Sequence, residues 1–388
     1  MIEMGGERAS TSLAFESSTH GVDCFSIGFW PCLGSSRSIN LANMRFNHFL
    51  SSYFPDTRYG GARLFADMLE QARVADRLGY DAVSIPEHHL INILLTPAPL
   101  QMAVRVAAET EQVDIVTAVA VLPLHDMRVF AGEVAQADIL CDGRMILGVG
   151  RGAFRYEMGR MEVPLEESRE KFDESLQVLI KLLTEEEVAW QGKYYQFAPL
   201  TVMPRPQSQP MPQIMIAALN PDAIYHSARR GFHIQTTPLA GGHSHLLDQV
   251  AAFHRGRDEL GSAGEHLRLS LLRVVFTARD EQDAKHKVSL ANDYFRRFDN
   301  VFTGPGIVSH GAIAPLERDQ SIDDLARNIV VCPSAEMIDR LSSYAESGID
   351  ELILNVNIGA SQDEAIDAMH RFAEKVSPHV GTADLRVA

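Results

Sequence analysis

The run "GRMILGVGRGA", residues 143–153, decides how this chain is read. A helical pattern ends just before Gly143, and an apolar stretch follows Arg144. A helix end, a glycine and an apolar run together mark the junction of a helix with a buried strand. The strand exits through Gly148-Val149-Gly150-Arg151-Gly152-Ala153, which fits G-x-G-x-x-A. That spacing suits a dinucleotide pyrophosphate when it follows the first strand of a βαβ unit. An acid must then end the next strand about 20 residues on. Neither condition holds. The motif lies far from the first strand of the chain. Glu166, Glu167 and Glu170 fall near the right distance but belong to "PLEESREKFDESLQVLIKLL", which has helical period. Two readings remain open. One is a βα loop on a barrel rim, with backbone amides and Arg151 facing an anion. The other is a tight turn whose arginine pairs with a carboxylate.

The same punctuation recurs. "ADRLGYDAVSI", "SARRGFHIQTT" and "YAESGIDELIL" pass from helical pattern through Gly79, Gly231 or Gly348 into a β-rich run. Apolar runs lie at 22–30, 81–86, 113–122, 144–150, 213–218, 232–237, 267–276 and 350–357. Several are apolar throughout, as strands buried on both faces are. Helical faces separate them, such as Phe65, Met68, Leu69, Ala72, Ala75 and Leu78, or Phe172, Leu176, Leu179, Ile180 and Leu183. Eight such strands alternating with helices predict an α/β fold, a (β/α)8 TIM barrel. Its expected span is 22–379, after an N-terminal arm at 1–21 and before a tail at 380–388. Residues 31–61 are polar and aperiodic, and 187–212 make a short β-like excursion ending in a proline-rich connector. Residues 299–328 form a long stretch rich in Gly and Pro, the expected lid over the barrel mouth after strand 7.

The 388 residues carry 35 basic and 51 acidic side chains, a net charge of −16. That balance argues against a nucleic-acid partner, which needs a basic stripe. It is compatible with a phosphate ligand, because one well-placed arginine sets the local field. Cys24, Cys32, Cys141 and Cys332 show neither disulfide-scaffold density nor metal-ligand spacing. No window has the apolar length of a membrane span, and "MIEMGGERASTSLAFESSTH" lacks the features of a signal peptide. The cytoplasm is the expected location.

Chemistry-bearing residues collect where the expected strands end. "SIPEHHL" leaves the second strand with Glu87, His88 and His89. Alternation turns His88 away from its two neighbours. Adjacent histidines suit a shared zinc ion poorly and H-E-x-x-H is absent, so no metal is expected. An acid–base or hydrogen-bonding role suits histidine near neutral pH, and a pair of capping side chains is the plainer alternative. In "VTAVAVLPLHDMR", Thr117, Ala118 and Val119 would let a flat ring lie on the backbone, although the composition is also that of ordinary core. His125 follows as a loop residue. In "IAALNPDAI", Asn220 suits an N-cap with Pro221 at N1. If strands four and five are neighbours, that helix start and Arg151 share one rim.

These stretches together resemble the bacterial luciferase-like flavin monooxygenase family, from about Val22 to His379. The resemblance is carried by "GYDAVSIPEHH", "TAVAVLPLH", and "FAGEVAQADILCDGR" followed by "GVGRG". It continues through "GKYYQF", "PRPQSQPMPQI", "RRGFH" and "SAEMIDRLSSYAESGIDELIL". Asp138 through Gly152 is the most specific part. The resemblance implies a (β/α)8 barrel with an extended loop after strand 7. It implies reduced FMN as cofactor, or F420 in one branch. Arg151 and the backbone near Ala153 would hold the flavin phosphate, helped by Leu219 and Asn220. A non-proline cis peptide at Ala118–Val119 would lie under the isoalloxazine, with Glu87 and Thr237 nearby and His88 assisting proton handling.

A two-component monooxygenase is the implied activity. A separate flavin reductase would supply FMNH2, oxygen would add at flavin C4a to give a hydroperoxide, and a small organic substrate would be oxygenated. A homodimer or related heterodimer is expected. The rival expectations are an F420-dependent hydride-transfer oxidoreductase and a non-catalytic flavin-binding protein or subunit. Gly150 stands where the luciferase α subunit has a reactive cysteine, Leu219 where it has an acid, and Ala223 where it has a threonine. These departures weaken the expectation of light emission on aldehydes.

Overall fold

The computed structural model describes residues 44–380. The barrel strands are β1 (Arg45–Phe49), β2 (Ala82–Ile85), β3 (Asp114–Thr117), β4 (Met145–Gly150), β5 (Ile214–Ala217), β6 (His233–Thr236), β7 (Leu269–Ala278) and β8 (Glu351–Asn355). Each runs parallel to the next, and β8 pairs back onto β1, so the sheet closes. Closure leaves no barrel edge and places every strand end on one of two rims. Helices cover the outside. Gly61–Arg77 buries Met68, Ala72 and Ala75 of its expected face, and Leu165–Thr184 buries Phe172, Leu176, Leu179 and Leu183. Gly79, Gly143, Gly231 and Gly348 all have φ between 73° and 86°, the left-handed helix ends read from the sequence.

The first strand is a correction. The run at 22–30, with Cys24, lies outside the described residues, and β1 comes instead from the polar segment 31–61. Its disguise has a physical cause. Asn47 reaches inward and donates to Glu351 of β8 at 2.9 Å, while Arg45 reaches Asp114 of β3 at 2.8 Å. His48 turns outward and bonds Gln71 of the first helix at 2.9 Å. Asn47 and His48 are buried on polar partners and Arg45 is half-buried on its acids, so no apolar run marks the strand.

The two later insertions are also more structured than loops. Residues Val188–Gln191 and Gln196–Leu200 form an antiparallel hairpin. Glu174 holds its turn, accepting from Trp190 Nε1 and the Tyr195 amide, each at 3.0 Å. After β7, the 299–328 stretch begins inside a helix, Glu281–Phe302, and ends in another, Ile322–Asn328. A short strand, Val330–Pro333, then pairs with the second half of β7. The lid proper is 303–321, with a small hairpin of Val308–Ser309 and Ala312–Ile313. Buried Asn300 clasps its base, donating to Ala314 O at 2.6 Å and accepting from Ile307 N at 2.9 Å. Ile313 N donates to Asn92 Oδ1 at 3.1 Å, which seats the hairpin over the segment after β2. Among the described residues, no helix is long and apolar enough to cross a membrane.

Candidate functional site

The exits of β2 and β3 are bound together by one buried carboxylate. Glu87, 2% exposed, accepts from Val121 N at 2.7 Å, from His125 Nε2 at 2.9 Å and from His89 Nε2 at 3.0 Å. Burial pushes the Glu87 carboxyl up, but the bonds from His125 and His89 outweigh it and hold it below its usual value. The bond to Glu87 raises His89 in turn. His88 faces the other way, as alternation requires. Its Nδ1 lies 2.7 Å from Glu157 Oε2, and its ring stacks on Phe154 with centroids 4.1 Å apart. His125, read from the sequence only as a loop residue, is thus a partner of Glu87. Glu157 carries no sequence signal of its own, because its partner is 69 residues away.

The glycines after β4 serve close packing. The Ala118–Val119 peptide is cis, as the resemblance implied. A Cβ on Gly148 would sit 1.8 Å from Thr117 O, and one on Gly150 would sit 2.6 Å from Val119 Cγ2. Gly152 has φ +83°, and a Cβ there would meet Met158 Sδ at 2.5 Å. The motif therefore lets β4 pass beside the turn after β3. Ala153 is half-buried and packs with Ala118 and Phe154 in one apolar cluster.

Arg151 follows directly. It is exposed and, among the described residues, makes no hydrogen bond or ion pair. Burial, then the neighbouring Arg169 charge, lowers its guanidinium. The alternative of an arginine paired with a barrel carboxylate is not what the chain forms. Glu166 pairs with Arg155 and Glu170 with Lys193, both on or beside the helix that the sequence assigned to them. Arg169 was not singled out in the sequence, since only the fold brings it to Arg151.

β5 is the neighbour of β4, so the helix Pro221–Ala228 starts on the same rim. Asn220 caps it, accepting from Asp222 N at 2.8 Å. Fully buried Gln249 ties this exit to that of β6: its Nε2 donates to Leu219 O at 2.8 Å and to Thr237 O at 3.2 Å. Thr237 Oγ1 accepts from Leu239 N at 2.9 Å. The site thus has two halves, with Glu87, His88, Ala118, Val119 and Ala153 on one side and Leu219, Asn220 and Thr237 on the other. No hydrogen bond joins Arg151 to either half. A cleft of about 370 Å³ opens where the short helix Arg155–Arg160 meets lid residues Gly304–Gly306.

A closed parallel barrel with these exits has a family counterpart, and the model of the luciferase-like monooxygenases matches residues 44–351. The chain belongs to that family. The oxygenase component of a flavin-dependent trigonelline monooxygenase from Acinetobacter baylyi is 28% identical over 86% of this chain and 95% of its own length. An F420-dependent glucose-6-phosphate dehydrogenase from Intrasporangium calvum is 25% identical over 80% of this chain and 94% of its own. Among solved structures, monooxygenase RslO1 from Streptomyces bottropensis superposes with a TM-score of 0.75 at 25% identity. It covers 87% of this chain and 99% of its own. The luciferase-like family thus includes both flavin-dependent monooxygenases and F420-dependent oxidoreductases among this chain's relatives.

Proposed function

We propose that this chain is the oxygenase component of a two-component monooxygenase, which takes reduced FMN from a separate reductase and uses O2 to oxygenate a small organic substrate. One observation carries the reading: Arg151 stands on the rim without an acid, and the charge beside it is another cation, Arg169. Two like charges repel unless an anion lies between them, and a phosphate dianion relieves both. The capped helix start at Asn220 adds N–H groups that favour the same anion. In this reading Arg151, Arg169 and the backbone near Ala153, Leu219 and Asn220 hold the FMN phosphate. Ala118 and Val119 support the ring, Glu87 and Thr237 border it, and His88 handles a proton. Bound reduced flavin supplies the electrons that activate oxygen. The chain's own part is to bind the cofactor, orient it, and exclude water beneath the 303–321 lid.

The Acinetobacter relative, named as an oxygenase component, supports a separate reductase. The Intrasporangium relative supports a second reading, hydride transfer with F420. Anaerobic titration separates the two. Reduced FMN should bind saturably, and reduced F420 should not displace it. Saturable binding of reduced F420, with none of FMN, would overturn the monooxygenase reading.

A further inference from the structure

We infer that Glu157 is the positioning residue for His88, holding its ring proton on Nδ1 and leaving Nε2 as the atom that exchanges a proton. The inference rests on the proposed role of His88 in proton handling and adds the group that makes the role possible. Glu157 sits in the short helix Arg155–Arg160, and its side chain is 6% exposed. A buried carboxylate must be satisfied by donors. Glu157 has two: Oε2 takes His88 Nδ1 at 2.7 Å, and Oε1 takes the backbone N–H of His89. One oxygen therefore grips the imidazole, and the other grips the chain that carries it.

The geometry dictates the tautomer. An ionised carboxylate only accepts, so Nδ1 must bear the proton. In the neutral ring Nε2 then carries the lone pair. Among the described residues His88 Nε2 makes no hydrogen bond, whereas His89 and His125 both spend Nε2 on Glu87. Of these histidines, His88 alone keeps that nitrogen available. Its plane is also fixed, stacked on Phe154 with 20° between the rings. Phe154 is held in turn by an edge contact to Phe298 at 5.4 Å. Phe154 and Glu157, three positions apart, thus set the plane and the edge of the ring from one short helix and its N-cap.

Two readouts test this, using Glu157→Ala and, as an isosteric variant that preserves the packing, Glu157→Gln. Ring nitrogen NMR of the cofactor-free protein should show His88 as the Nδ1–H form in the wild type and a mixture of tautomers in both variants. Reoxidation of bound reduced FMN by O2 should slow about 10- to 100-fold, in keeping with the loss of positioned acid–base help. Affinity for reduced FMN should stay within about twofold. In a His88→Ala background, removing Glu157 should add nothing. An equal loss in that background, or an unchanged tautomer in both variants, overturns the inference. If His88→Ala itself reoxidises flavin at the wild-type rate, the proposed role of His88 fails instead, and the NMR result shows separately whether Glu157 sets the tautomer.

Discussion

Arg45, entering β1, and Arg151, leaving β4, stand at opposite ends of one barrel. Arg45 is enclosed by acids, with Asp114 at 2.8 Å and Glu351 at 3.5 Å. Burial works against its charge, but Glu351, Asp81 and Asp114 outweigh burial and raise its guanidinium. Arg151 has no such partner, and both burial and Arg169 lower it. The N-terminal end consumes its charges within the fold. The C-terminal end leaves Arg151 beside another cation, with no acid paired to it among the described residues. Barrels of this kind divide labour in the same way, with stability at the bottom and chemistry in the loops at the top. Two adjacent like charges are a local cost, and in the proposed function the flavin phosphate would provide the counter-charge.

The contrast breaks most visibly at the bottom. Arg45→Met leaves Glu351, 2% exposed at its side chain, as a buried charge with Asn47 for company. We expect a loss of about 3 kcal/mol in urea unfolding, with flavin affinity of the folded protein unchanged. A loss below about 1 kcal/mol would mean that the bottom cluster behaves as an ordinary surface pair.

The reverse pattern is expected for Arg151→Ala. Affinity for reduced FMN should fall about 30-fold, or about 2 kcal/mol, as for one charge-assisted hydrogen bond. Riboflavin, which lacks the phosphate, should be affected by no more than about twofold. Unfolding free energy should move by less than about 0.5 kcal/mol. Equal losses for the two flavins would remove the phosphate from the explanation.

The smallest effect concerns pH, and the two ends should differ in sign. At the bottom, burial and then the Arg268 charge push His233 down to about 4. The unfolded chain, with a value of about 6.5, then takes the proton first as pH falls. The His233 contribution is complete above about pH 6.5 and is lost on the way down to about 4, reaching about 1.4 kcal/mol at about pH 5.5. At the top, the bond to Glu87 raises His89. Its contribution is complete below the unfolded value and is lost as pH climbs through the raised one. Melting temperature against pH should therefore lose acid-side slope in His233→Asn and alkaline-side slope in His89→Gln. If His233→Asn keeps its acid slope, that histidine is not held neutral.

Most of the barrel was legible because its signals are local. A glycine that ends a helix and an apolar run that follows it are read from neighbouring residues, and Gly79, Gly143, Gly231 and Gly348 all have the conformation expected of them. Asn220 was equally legible, since an N-cap acts on an amide two residues away. β1 was not legible. Asn47 finds its partner 304 residues along the chain, and Arg45 finds one 69 residues along. The lid was visible as a departure from the repeat, but its clasp at Asn300 was not.

The run "GVGRG" shows where the division falls. By itself the sequence determined that a strand ends there, that small residues leave it, that Arg151 stands at the exit, and that its neighbours resemble one enzyme family. Only the tertiary structure decided why the glycines are small, which is to pass Thr117 and Val119. Only it left Arg151 facing Arg169 without an acid, and only it brought Glu157 to His88. Backbone preference and hydrophobic period are written in consecutive residues. Whether a charge is satisfied depends on which distant residues barrel closure places beside it.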